Sequence, residues 1–295
     1  MKLEKIITLA NAPVRLRFVA MERSLRVQGC DLPVWVIPYG DSEADLFELP
    51  PNCHWWRQPE TLAWLHAERA HPTARKYQCF LEANYQFVDA DVVFLRDPVA
   101  ALVPHDGFVM SCGHWRDSDH TITAESREFF HRRSTTWQRW VFNSGQFACD
   151  QPLFPDLEAL RRIASAPEHA PTCLRLPYEQ PGVNLLAVLS GVPMKHLTLP
   201  PTTMESTWAG DYDDADFRRF WQDQRTAPYL LHWAGVSMHD DRPIHELFYQ
   251  YLTEAERAEW HAQTAARAAR ERTLPHRVMM WKQRAKAAWN VLRAA

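Results

Sequence analysis

The chemistry in this chain gathers around one short run, QFVDADVVFLRDP, with Asp89 and Asp91 set two residues apart. In a strand, residues i and i+2 point to one side, so the two carboxylates would converge while Ala90 turns away. Converging carboxylates are costly unless a cation neutralises them. Hard divalent ions such as Mn2+ or Mg2+ take oxygen ligands, commonly one or two carboxylates together with substrate phosphates. The carboxyl end of a strand is also where open α/β sheets bind ligands. The plain alternative is a solvated turn with two surface acids. Phe87-Val88 before the pair and Val92-Val93-Phe94 after it argue against that alternative.

Four other segments carry polar groups of the same kind. ARKYQ places Arg75 and Lys76 just ahead of the acid pair. FNSGQFACD holds Asn143, Ser144 and Gly145. YEQPGVN holds Glu179, Gln180 and Asn184, and LLHWAG places His232 after an apolar run. In this chain order the five segments resemble the GT-A glycosyltransferases with a D-x-D motif, and among them family 8, whose signature runs as an Arg helix, LDADxxxxxDP, FNxGxx, DQxxxN and HxxG. The resemblance spans about Glu4 to Glu254.

The resemblance implies transfer of a sugar from a nucleoside-diphosphate sugar to a hydroxyl of a glycan or glycolipid, with retention favoured over inversion. It implies Mn2+ (or Mg2+) held by Asp89, Asp91 and His232, bridging the two phosphates as a Lewis acid. Arg75 or Lys76 would add a fixed cation near the diphosphate. Asn143, Ser144 and Gly145 would meet sugar hydroxyls, and Glu179 and Gln180 the transferred sugar or the acceptor. Glu179 would be the general base if the reaction inverts. The loop after the first strand, Thr8 to Asn11, with Arg15 close by, would cradle the nucleobase. Two departures stand out. The family's HxxGxxKPW reads HWAGVSMHDDRP here, without the Lys, and Arg242 is offered in its place; the family's Asp before Gln is Glu179.

The elements that must position these groups follow from apolar spacing. Glu4–Thr8 and Leu32–Pro38 read as strands, and Val14–Val27 between them as a helix. Helices are expected over Glu60–Ala70 and from Pro72 to about Asn84, then one extended run over Gln86–Leu95. Short strands are expected at Phe108–Ser111, Phe142–Cys149, Pro193–Leu197 and Tyr229–Trp233. This alternation predicts an α/β, Rossmann-type fold with a mixed, mostly parallel sheet and helices on both faces. The domain reading is a catalytic domain over 1–255 and a basic amphipathic helical tail over 256–295.

Composition narrows the function. With 46% hydrophobic and 23% charged residues the chain is globular, and at net −3 its surface does not suit nucleic acid. TLANAPVRLR lacks the Gly-rich loop of a sugar-1-phosphate nucleotidyltransferase, and no Walker A or G-x-G-x-x-G motif is present. The D-x-D of an aspartyl phosphatase belongs on the first strand, whereas this one follows two strand–helix units. His114, His120, His239 and His245 show no metal spacing. A carbohydrate-binding scaffold on a degenerate transferase fold is the remaining rival. The six Cys are scattered without a C-x-x-C pair and read as buried thiols in a reducing compartment. Neither an export signal nor a membrane span is expected, which makes a cytoplasmic location the expectation.

The tail differs from the rest. His261 to Ala295 has eight Lys or Arg and one Glu, a net +7 against −10 for the other residues. Over RVMMWKQRAKAAWNVLR, helical spacing puts Trp281, Ala285, Trp289 and Leu292 on one face and Lys282, Lys286 and Arg293 at its border. Such a helix suits the interface of an anionic membrane, or else docks on the catalytic domain.

Overall fold

The structure, a computed structural model, describes residues 1–116 and 121–272. The chain packs as two compact units divided after Tyr251. The strands of the first unit are β1 (Lys5–Ala10), β2 (Val34–Pro38), β3 (Cys53–Trp55), β4 (Tyr85–Val88), β5 (Val92–Phe94), β6 (Phe108–Met110), β7 (Gln146–Cys149), β8 (Met194–His196) and β9 (Leu230–His232). Seven of them form one sheet in the order β3-β2-β1-β4-β7-β6-β8, and β5 pairs with β9 in a second, small sheet. In the main sheet only β7 runs against its neighbours. The fold is α/β with a mixed, mostly parallel sheet.

Sequence patterns account for the centre of this sheet. KIITLA is buried at all six positions, the continuous apolar pattern of a strand covered on both faces. The helix Arg15–Val27 buries Leu16, Phe18, Val19, Met21 and Leu25 as it crosses from β1 to β2. Phe147 on β7 packs between Phe87 and Phe108, each with ring centroids 5.2 Å away, which fastens the reversed strand into the core. β3 has three residues, too few for a period to show.

Three expectations need correction. Gln86–Leu95 is not one strand. Its first part is β4, in the main sheet; the chain leaves that sheet at Asp89, turns through Ala90 and Asp91, and resumes as β5 against β9. The acids therefore lie at the seam of two sheets, and their convergence comes from a turn rather than from strand alternation. Between Pro72 and Leu81 the helix is of the tighter 3-10 kind. It stops short of Asn84, which takes a left-handed φ of 57° at the entry to β4. The strand expected from Phe142 begins only at Gln146, because Phe142 to Gly145 bond to side chains rather than to a neighbouring strand.

The second unit is described as far as the helix Glu254–Arg272. Thr253 and Glu256 cap its start reciprocally: the Glu256 carboxylate accepts from the Thr253 N–H at 2.8 Å, and the Glu256 N–H donates to the Thr253 hydroxyl. The amphipathic stretch expected over 277–293 lies outside the described residues. Among those described, no helix is long and apolar enough to cross a membrane.

Candidate active site

A cleft of about 1080 Å3 opens where β1 and β4 end. Because β7 is reversed, its start lies beside the end of β4, with Val88 opposite Gln146. The Asp89 N–H donates to the Gly145 carbonyl at 2.8 Å, one step past that pair. β9 closes the group from the other side. Val92 pairs with His232, the His232 N–H donates to Thr207 O at 2.8 Å, and the Trp233 N–H to Asp91 O at 3.1 Å. The seam between the sheets thus holds the backbone of all three residues.

Their side chains meet at the cleft floor. One ligand atom from each of Asp89, Asp91 and His232 lies within 4.8 Å of the others. His232 Nε2 is 3.2 Å from Asp91 Oδ1 and 3.8 Å from Asp89 Oδ2. Two carboxylates and an imidazole form a donor set suited to Mn2+, and to Mg2+ where phosphate oxygens complete the shell. The space fits as well. A Cβ at residue 145 would come within 2.3 Å of the His232 ring and 2.4 Å of the Asp89 carboxylate, so only Gly keeps the centre of the cluster open. The two acids differ in character. Burial pushes Asp89 up, only partly opposed by Lys76 and His232. For Asp91, burial is overcome by the His232 hydrogen bond and by the charges of His232 and Arg17, which hold it down at about 2.

Beside this cluster lies a buried cation. Lys76, 2% exposed, reaches Glu179 at 2.5 Å and Asp89 at 2.9 Å and donates to Ser144 O at 3.4 Å. Burial disfavours its charge, but the two carboxylates raise its pKa above the ordinary lysine value. Glu179 also accepts from the Ser144 hydroxyl at 2.8 Å. Against the cost of burial, Lys76 holds Glu179 down at about 2. Glu179 precedes the helix Gln180–Leu189, whose Asn184 faces back. Asn184 accepts from Phe142 N–H and donates to Phe142 O, both at 2.9 Å, and donates also to Gln180 O. It ties the loop carrying Asn143, Ser144 and Gly145 to the helix carrying Gln180.

Comparison with known structures identifies the architecture. The apo structure of the bifunctional glycosyltransferase WbbM matches with a TM-score of 0.53 at 14% identity, over 88% of this chain and 51% of that one. The chain therefore spans about half the length of WbbM. The galactosyltransferase LgtC, in complex with donor and acceptor sugar analogs, matches with a TM-score of 0.51 at 17% identity, over 86% of this chain and 99% of that one. The fold is the GT-A glycosyltransferase fold. No protein family model and no curated protein matches the chain.

On this GT-A frame the residues singled out by sequence fall into two groups. Asn11, Lys76, Asp89, Asp91, Asn143, Ser144, Glu179, Gln180 and His232 line the cleft, and Gly145 packs beneath the acid–histidine cluster. Thr8, Arg15, Arg75 and Arg242 do not line it. Thr8 is fully buried within β1. The Arg75 guanidinium donates to Pro38 O and Gly40 O and pairs with Asp41 at 2.6 Å. Arg242 pairs with Asp213 and Asp240, on the loop after β9. Within the cleft, Asn143 Oδ1 accepts from the Gly145 N–H at 2.8 Å, so that oxygen shapes the turn.

Several lining residues carried no sequence signal. Arg17 sits in the first turns of the helix Arg15–Val27, one position among several arginines in RLRFVAMERSLR. Trp208 is one of 13 Trp, held by its indole N–H to Ala234 O at 2.8 Å. Asn184 stood in a quoted motif, but its clamp on Phe142 needed the fold to show it. Asn184→Ala strands the buried Phe142 N–H and C=O, at about 1–3 kcal/mol for each unsatisfied group. Thermal or urea unfolding should show that loss, together with a lower transfer rate because the Asn143–Gly145 loop loses its tether.

Proposed function

We propose that this chain is a metal-dependent glycosyltransferase that moves a sugar from a nucleoside-diphosphate sugar to a hydroxyl of a glycan or glycolipid. One observation carries the reading: an Asp89–Asp91–His232 cluster, kept open by Gly145, at the floor of the cleft of a GT-A fold. Mn2+ or Mg2+ bound there would take up charge that develops on the diphosphate as the glycosidic bond breaks. Asn11 lies at the β1 end of the cleft, in position for the nucleoside, and Gln180 lies by the Asn143–Gly145 loop, in position for the transferred sugar.

Glu179 serves this reaction through Lys76 rather than as a base. A carboxyl held at about 2 takes up a proton poorly near neutrality, and its oxygen is occupied by Lys76 and Ser144. The pair fixes a positive charge beside Asp89, where the donor phosphates would lie. With Glu179 so engaged, the reading favours retention of anomeric configuration. Peripheral attachment to anionic membrane through residues 256–295 rests on the sequence pattern alone.

The test is a panel of nucleotide sugars with and without Mn2+. Release of nucleoside diphosphate is expected from one donor class, lost on chelation and restored by Mn2+, with the anomeric configuration of the product read by NMR. If no donor is cleaved or transferred under any metal condition, the transferase reading fails and the scaffold alternative takes its place.

A further inference from the structure

The cations along the cleft differ in what they can reach. Among the described lining residues, the positively charged side chains are Lys76, Arg17 and Arg116. Lys76, at the floor, is held by Glu179 and Asp89. Arg116 ends the 3-10 turn His114–Arg116, its guanidinium 5.4 Å from the Trp115 ring. Arg75 and Arg242, the two arginines expected at the phosphates, bind elsewhere, and Met238, where the resembling family has its Lys, is apolar and 2% exposed. Arg17 is different. Its side chain is 26% exposed, and Nη1 stands 3.9 Å from Asp91 Oδ2. That is an ion-pair distance beyond hydrogen-bond range, close enough to share an anion with an ion on Asp91.

We propose that Arg17 binds the diphosphate of the donor and stabilises it as leaving group, on the Asp91 side of the metal site. This rests on the transferase reading above. In the reaction the bond from the anomeric carbon to the β-phosphate oxygen breaks, and its electron pair stays on that oxygen. The acceptor oxygen forms the new bond to the anomeric carbon and gives up its proton, which ends on the released phosphate or in water. The diphosphate gains one negative charge in this step, so a cation placed at it binds the transition state more tightly than the ground state. A guanidinium can meet two phosphate oxygens at once. Pro13 and Val14, in the 3-10 turn Ala12–Val14 that leads into the helix of Arg17, also line the cleft.

The experiment is calorimetric titration of UDP, GDP, ADP and CDP in the presence of Mn2+, and of Mn2+ alone, into the wild-type protein and its Arg17→Ala, Arg17→Gln and Arg17→Lys variants. For the nucleotide that the wild type binds, Arg17→Ala and Arg17→Gln should weaken the diphosphate by tenfold or more. The matching monophosphate should lose less, and Arg17→Lys should recover part of the loss by restoring a point charge. Mn2+ alone should bind the variants no more weakly than the wild type, since a neighbouring cation has been removed. Equal diphosphate affinity in Arg17→Gln and wild type would overturn the assignment and leave the transferase reading standing. Loss of Mn2+ binding without nucleotide would also overturn it, making Arg17 a positioning residue for Asp91. A wild-type protein that binds none of the four with Mn2+ would remove both the assignment and the reading on which it rests. Arg17→Gln and Arg17→Lys keep most of the side chain's packing, so the outcome does not depend on Arg17→Ala folding well.

Discussion

Asp91→Asn is expected to cut metal-dependent sugar transfer by about a thousandfold, equivalent to about 4 kcal/mol of barrier. The substitution keeps the shape of the side chain and removes its charge. Asp91 is the more firmly ionised of the two acids, held at about 2 by His232 and Arg17 in spite of burial. A neutral amide would leave Asp89 and His232 to hold a divalent ion, and Asp89 is already drawn toward Lys76 at 2.9 Å. Transfer should fall at every Mn2+ concentration that wild-type protein needs, in protein that an unfolding curve shows to be still folded at the assay temperature. Gly145→Ala provides an independent check. All three proposed ligands remain, but the new methyl would sit 2.3 Å from the His232 ring and 2.4 Å from Asp89, in the space the ion would need. Mn2+ titration followed by activity should show both variants weakened. Full activity in Asp91→Asn and in Gly145→Ala would remove the ion from the reaction.

The part of this site visible in the sequence was the part carried by local composition. An acid pair inside an apolar run pointed to a candidate ligand site at a sheet edge, and the alternation of strands and helices around it marked an α/β fold. The geometry of the pair was less legible. QFVDADVVFL has the length and apolarity of one strand, and nothing in the run reveals that Val92–Phe94 pairs with residues 230–232, some 140 positions away. Adjacent candidates such as Arg75 and Lys76 were equally indistinct. In the tight 3-10 helix, successive residues point about a third of a turn apart, so one enters the cleft floor while the other turns to the β2 end. Arg17 was missed for a related reason: an arginine in an amphipathic helix looks like solvated surface until Asp91, just before β5, is folded against it. Arg242 shows the converse, a cation placed by motif analogy that the fold pairs with Asp213 and Asp240.

Lys76→Met tests whether the buried charge network is a structural fixture as well as part of the site. The wild-type ammonium is 2% exposed and sits between Glu179, 6% exposed, and Asp89. Met matches much of the stem's volume but leaves Glu179 as a buried carboxylate without its counter-ion. Removing one partner of a buried pair costs about 3–5 kcal/mol, mostly from the charge left behind. The sign with pH separates that cause from lost packing. In the wild type, Glu179 is lowered from 4.5 to about 2, so its pairing adds stability above pH 4.5, and that stability is lost as pH falls toward 2. In the variant, burial acts unopposed and raises the Glu179 pKa, so acidification neutralises the stranded carboxylate and relieves the cost. The gap in unfolding free energy between the two proteins should therefore be widest near neutral pH and shrink as pH drops below about 5. A gap that stays constant across that range would mean Lys76 contributes through packing alone. Lys76→Met with Glu179→Gln should restore much of the lost stability without restoring transfer, since the double variant repairs the buried charge but leaves no cation beside Asp89.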